Sequence, residues 1–171
     1  MMMRIFACLI GAALIACSPQ SATTPADAST GQPATSSEVL PLDAKHPISG
    51  LDIIIAKIDS GEENYGFEVE LASTPEAQTR GLMFRTELGD FEGMIFPSEF
   101  PIPRSFWMRN TPLPLDLIFI GEDRKIRNIA AMAEPYSLDS IPSDGPVIAV
   151  LEIRGGRAAE LGIEPGDTVE W

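Results

Sequence analysis

The chain has 171 residues with 12 basic and 25 acidic side chains, a formal charge of −13, and 44% hydrophobic residues. A field of that sign repels nucleic acid and anionic lipid headgroups, and no basic run reverses it, so nucleic acid is excluded as a partner. Two cysteines and a single histidine leave little material for thiolate, imidazole or metal-centred chemistry.

Arg4, an apolar run over residues 5–16, then Cys17 and the polar Ser18-Pro19-Gln20 open the chain. The run is too short to span a bilayer, which takes about 20 residues, and it lacks an A-x-A-like cleavage site. It reads as a lipoprotein signal ending in a lipobox, so residues 1–16 are removed and Cys17 is acylated. The alternative is a plain signal peptide with an incidental cysteine. Two or more acyl chains hold a protein firmly where one does not, so the expected partner is the membrane, reached through the N-terminal lipid. Ser18, rather than Asp, favours the outer membrane, facing the periplasm, in a cell that has one. Cys8 leaves with the signal and Cys17 is consumed by lipid, so the folded part has neither disulfide nor thiolate. Loss of residues 1–16, which include Arg4, leaves 155 residues with a formal charge of −14, enough for one domain.

Residues 18–37 contain no large apolar side chain and are rich in Ser, Thr, Ala and Pro. Such a segment cannot bury enough surface to offset its ordering entropy and is expected to be a disordered tether with a reach on the order of 25 Å. Lipidated Cys17 and the tether are assigned to residues 17–47 and an all-β domain to residues 48–171. His46, at the end of the tether beside Pro47, is expected to be solvated.

Within the domain, residues 51–58 and 147–153 are β-branched-rich and apolar on both faces, as central strands are. Residues 65–71 alternate, with Tyr65, Phe67, Val69 and Leu71 inward. Ser73-Thr74-Pro75-Glu76 is a capping box that starts a helix running to about Gly81. Residues 115–120 form another strand, paired through Gly121-Glu122-Asp123 with residues 125–131. Residues 157–161 make a second short helix, ended by Gly162, before a terminal strand through Trp171. Fifteen prolines and fourteen glycines punctuate these short elements. The expected fold is mainly β, a single compact β-sandwich or barrel with jelly-roll-like character and two short helices.

The catalytic inventory is thin. One histidine at the domain's edge builds no Ser-His or His-metal constellation, and nucleophile-elbow, phosphate-loop and dinucleotide fingerprints are absent. Asp116 and Glu152 each interrupt an apolar strand and therefore need partners, for which Arg85, Arg109 and Arg154 are candidates. They read either as ion pairs that pin strand register or as a polar floor beneath a pocket. In Phe106-Trp107-Met108-Arg109-Asn110-Thr111, a flat apolar ring stands beside a bidentate donor and an amide, chemistry suited to a sugar, a carboxylate or a peptide end. The competing structural reading makes Trp107 core, pairs Arg109 with Asp116 and uses Asn110-Thr111 to cap a turn. Met83, Met94, Met108 and Met132 include the soft ligands that Cu(I) selects, but their flanks look like packed core and no M-x-M spacing supports copper.

Taken together, Gly81-Leu82-Met83-Phe84-Arg85, Gly93-Met94-Ile95-Phe96, the Phe106 to Thr111 block, Pro114-Leu115-Asp116-Leu117-Ile118-Phe119, and Val150-Leu151-Glu152-Ile153 with Gly155-Gly156 resemble the domain of unknown function 192 family. The closing Leu161-Gly162-Ile163 and Pro165-Gly166-Asp167 fit as well, so the resemblance covers roughly residues 52–171. It implies a compact all-β domain, often exported behind a signal or anchor, and no established activity. It also moves the Trp107–Arg109 block from structure towards a site. The expected function is non-enzymatic binding of a small polar, acidic or envelope-derived ligand by Arg85, Trp107, Arg109, Asn110, Thr111 and Asp116, with Asp116 orienting Arg109. No catalytic residue, cofactor or metal is assigned. The alternatives are a carboxylate-dependent envelope hydrolase or lyase using Asp116 and Glu152, and a scaffold that docks a protein partner.

Overall fold

The computed structural model describes residues 44–171. The signal, Cys17 and all but the last few tether residues lie outside the described residues. Seven strands and two short helices follow in order: β1 (Ile53–Asp59), β2 (Asn64–Leu71), α1 (Pro75–Arg80), β3 (Glu92–Phe106), β4 (Leu115–Ile120), β5 (Ile126–Ala133), β6 (Ile141–Arg154), α2 (Arg157–Glu160) and β7 (Thr168–Glu170). All seven strands join one sheet in the order β5-β4-β6-β3-β2-β1-β7, with only β2 and β3 parallel. The expected mainly β architecture is realised as one curled sheet, half a barrel.

The curl brings the sheet's two edges together at one end. Lys125, ahead of β5, bridges Thr168 of β7. The Ile126 N–H donates to the Asp167 carbonyl at 2.9 Å, and the Val169 N–H to the Arg124 carbonyl at 2.8 Å. Edge groups that would otherwise stand open to pairing with another chain are thereby used.

Both faces of the sheet carry an apolar layer. One is built from Phe67, Val69, Ile118, Ile120, Leu151, Ile153 and Val169, with Ala158 and Ile163 from the α2 region. It includes residues of both halves of the sheet, as the inside of a curl must. The other, built from Met94, Phe96, Leu115, Leu117, Phe119 and Val150, is covered by Leu82, Met108 and the α1 side. β4, in contact with both layers, is buried at every residue. That explains why its sequence shows no polar alternation.

Two long strands depart from the expected pattern. β3 extends to Phe106 through Pro97, Pro101 and Pro103, and β6 begins at Ile141 with Pro142 and Pro146 inside it. Proline cannot donate to a ladder and normally ends a strand. Here register shifts between Pro97 and Ile102, and between Pro103 and Ser105, seat the prolines where the β3–β6 ladder is irregular. Helix α1 starts as expected, although the cap is Thr74, whose Oγ1 accepts from the Ala77 N–H at 3.2 Å. Gly93 has a steric reason: a Cβ there would stand 2.4 Å from the Glu152 carbonyl oxygen.

Asp116 is fully buried and ties three segments together. Its Oδ1 accepts from the N–H groups of Met132 and Gly156, both at 2.8 Å, and its Oδ2 from that of Ala158 at 2.9 Å. No arginine among the described residues pairs with it. The expected pairing with Arg109 is therefore corrected: backbone amides compensate this carboxylate. Asp116→Ala strands those donors and should cost about 3 kcal/mol or more, read from the urea midpoint, given roughly 1–3 kcal/mol for each buried unsatisfied group. A loss below about 1 kcal/mol would contradict this role.

Candidate functional site

Directly opposed residues in a ladder share a face of the sheet. β4 and β6 pair Asp116 with Ile153 and Leu117 with Glu152. Asp116 and Glu152 therefore point to opposite faces. Glu152 lies in a row with Met94 of β3 and Glu70 of β2, on the side that α1 covers. Above it is a cavity of about 210 Å³, walled by Leu82, Phe96 and Phe106 and lined by Gln78, Thr79, Arg80, Met83, Arg104, Trp107, Arg109 and Thr111.

Glu152 is 5% exposed, and none of the ion pairs among the described residues includes it. Burial alone pushes its carboxyl up to about 8. Among the described residues no side chain pairs with it, and its oxygens open onto the cavity. Glu70, the other buried carboxylate in that row, accepts from the Arg85 Nη2 at 2.6 and 2.7 Å through its two oxygens.

Guanidinium groups surround the cavity. Arg104 is anchored: Nη1 donates to Ser98 Oγ at 2.6 Å and Nη2 to Gln78 Oε1 at 3.3 Å, and the group lies 5.2 Å from the Phe106 ring centroid. Desolvation lowers its pKa from the ordinary arginine value. Arg109 lies 5.5 Å from the Trp107 ring centroid. Arg80 ends α1. Arg80 and Arg109, with Thr79 and Met83, also line a shallow outer groove that continues over Glu76 and Asn110. They stand at the mouth.

The loops that frame the mouth are strained. Phe84, Asn110 and Tyr136 adopt φ of 64°, 54° and 62°, a region that costs a bulky residue on the order of 1–2 kcal/mol. The Phe84 N–H donates to the Asn110 carbonyl at 2.8 Å and the Tyr136 N–H to the Thr111 carbonyl at 3.1 Å, which holds the three loops together. Phe84 and Tyr136 are exposed, at 67% and 63%.

Of the residues expected to form a site, Trp107, Arg109 and Thr111 line the cavity and Asn110 lines the outer groove. Arg85 and Asp116 do not join them. Arg85 is buried against Glu70, and His46 packs on it with Nδ1 3.1 Å from Nη2. The solvated His46 expected from the tether is thus a partly buried contact of that ion pair. Arg154, expected as a carboxylate partner in the strands, bonds Asp90 at 2.7 Å and Glu160 at 2.5 Å instead. A hydrolase that pairs Asp116 with Glu152 is not available, because a sheet separates the two groups. Arg80 and Arg104 were invisible as site residues: one closes a short helix and the other sits in a proline-rich stretch, and neither stands in a recognisable motif.

Fold and site together define a curled-sheet domain with a carboxyl-floored, arginine-rimmed cleft. Residues 56–171 match the uncharacterized DUF192 family, and the chain belongs to it. A crystal structure of a protein of unknown function from Novosphingobium aromaticivorans is similar at 54% identity and a TM-score of 0.75, over 77% of this chain and 94% of that one. A proposed transcription regulator from Sinorhizobium meliloti is similar at 36% identity and a TM-score of 0.68, over 70% and 94%. No curated protein matches the chain.

Glu152 also marks the stability profile. Its folded value, about 8, lies above the ordinary 4.5, so between these limits the folded state binds more protons than the unfolded one. The contribution of Glu152 to stability is therefore full below about pH 4.5 and is lost as pH rises towards 8. Glu152→Gln removes this dependence. Its melting temperature should exceed that of the wild type by about 5–10 °C at pH 8.5 and converge with it below pH 5. Parallel profiles for the two proteins would show that Glu152 is not desolvated.

Proposed function

We propose that this domain is a non-enzymatic binding module for a small polar anion, held at the cell envelope by lipid on Cys17. The observation that carries the binding reading is Glu152, a largely buried carboxyl at the floor of a cleft that no side chain among the described residues pairs with and that opens onto the cavity. Buried polar groups are normally satisfied, and one left open towards a cavity marks where a ligand supplies the missing partner. The sign of the ligand follows from the rim. In a chain with a formal charge of −13, Arg80, Arg104 and Arg109 line one cavity, and guanidinium forks suit carboxylate and phosphate oxygens. Trp107 offers a flat apolar wall beside Arg109. The anchoring reading rests on the lipobox pattern ending at Cys17. Transcription regulation, the role proposed for the Sinorhizobium protein, is disfavoured here so far as it needs nucleic-acid binding, because the overall charge is negative.

Titration of labelled protein with acetate, lactate, N-acetylalanine and inorganic phosphate, followed by amide chemical shifts, should perturb Gln78 to Met83 and Trp107 to Thr111. Arg109→Ala should weaken the best of these at least ~10-fold, the scale of one charge-assisted contact. Shifts confined to other surfaces, or an affinity indifferent to both Arg109→Ala and Arg80→Ala, would sink the binding reading. Separately, Cys17→Ser should move the protein from the membrane fraction to the soluble one. Retention of the variant in the membrane fraction would remove the lipid anchor.

A further inference from the structure

Resting on the binding reading above, the geometry points to a more specific ligand class. We propose that Glu152 meets the ligand as an uncharged carboxylic acid that donates a hydrogen bond. The cleft then selects an anion whose buried end is a neutral acceptor, such as a carbonyl, and rejects the matching compound that carries an ammonium group there.

The surroundings of Glu152 leave its charge no support. On its own strand, Arg154 is two residues away on the same face, but Asp90 and Glu160 hold it. Across β3, Met94 intervenes before Glu70, which is matched by Arg85 with His46 against it. Across β4 the opposed residue is Leu117. From α1 and the far half of β3 come Arg80 and Arg104. Arg104 is spread over Ser98, Gln78 and the Phe106 ring, and Arg80 stands with Arg109 and Glu76 at the outer groove. None forms an ion pair with Glu152. Ionising the group here would leave a carboxylate among Leu82, Phe96 and Phe106, whereas the protonated form suits that environment.

The same features decide what the floor can hold. A ligand ammonium would have to pass the guanidinium groups at the mouth and then bury an ion pair, whose desolvation offsets most of its Coulomb gain. A neutral acid donating to a carbonyl needs no charge at depth, and it leaves the guanidinium groups to the ligand's anionic end. Discrimination then works by an unpaired buried donor, a strong filter: a partner that cannot accept leaves the Glu152 O–H unsatisfied.

A matched pair of probes tests this. N-acetylalanine carries a carboxylate and a neutral carbonyl; alanylalanine keeps both and adds an ammonium group beside the carbonyl, so the difference between them reads the ammonium. At pH 6, N-acetylalanine should bind at least ~10-fold more tightly. Glu152→Gln, whose amide still donates, should keep its affinity within about threefold, and Glu152→Leu should lose it. Raising pH from 6 to 9 should weaken N-acetylalanine binding to wild type as Glu152 ionises. The glutamine variant should show a flat profile, which separates Glu152 from His46 and every other titrating group. Amide spectra confirm that each variant is folded. Preference for alanylalanine, with Glu152→Gln abolishing binding, would overturn the neutral-donor proposal and leave the binding reading intact. Absence of cleft shifts with both probes and with acetate, lactate and phosphate would overturn both.

Discussion

The pairing of Leu117 with Glu152 across β4 and β6 is the contact on which the rest of the molecule turns. Strand side chains alternate, so this one register sends Asp116 to one face and Glu152 to the other. A slip of one residue would bring both acids to the same face and place every apolar residue of the slipped strand in the wrong layer. Because β4 has no solvent face, that error has no cheap relaxation. The ladder thus specifies both the core and the position of the cleft carboxyl.

Three carboxylates on or beside these strands show how differently a folded chain handles the same group. Asp116 is met by three backbone amides and needs no counter-charge. Glu70 is met by one guanidinium nitrogen that donates to both of its oxygens, with the His46 ring beside it. Glu152 is met by a cavity. The first two join segments distant in sequence: Asp116 holds β5 and the α2 turn, and Arg85 and His46 fasten the loop after α1 and the chain ahead of β1 to β2. Only the third is left to destabilise its own charged form. Desolvation without compensation is a cost that a structural role does not need, which makes Glu152 the informative member of the set.

Three of the five non-glycine residues with positive φ among the described residues stand in the loops at this end. Phe84, Asn110 and Tyr136 hold left-handed backbone conformations in the three loops around the mouth, coupled through main-chain hydrogen bonds. None is glycine. Such conformations persist where surrounding contacts over-determine them, and they gather at functional surfaces. Here they set the spacing between the end of α1, which carries Arg80, and the Trp107–Arg109 segment.

Much of the fold was legible because local chemistry determines it. Threonine and proline start α1, β-branched runs make central strands, and the apolar monotony of residues 115–120 signals burial on both sides. The acidic charge is likewise a property of the chain itself. The long proline-bearing halves of β3 and β6 were not legible, because only their mutual pairing, with its register shifts, makes room for residues that propensity excludes. Half of the site could be read: Trp107, Arg109, Asn110 and Thr111 are consecutive or nearly so, and a dense motif displays itself. Arg80 and Arg104 could not, since their approach depends on α1 folding back over β3. The sequence by itself determined that Asp116 and Glu152 are buried acids in need of compensation. Tertiary structure alone decided that backbone amides satisfy one and a cavity receives the other, because compensation depends on which strand lies alongside and on which face the register turns the group.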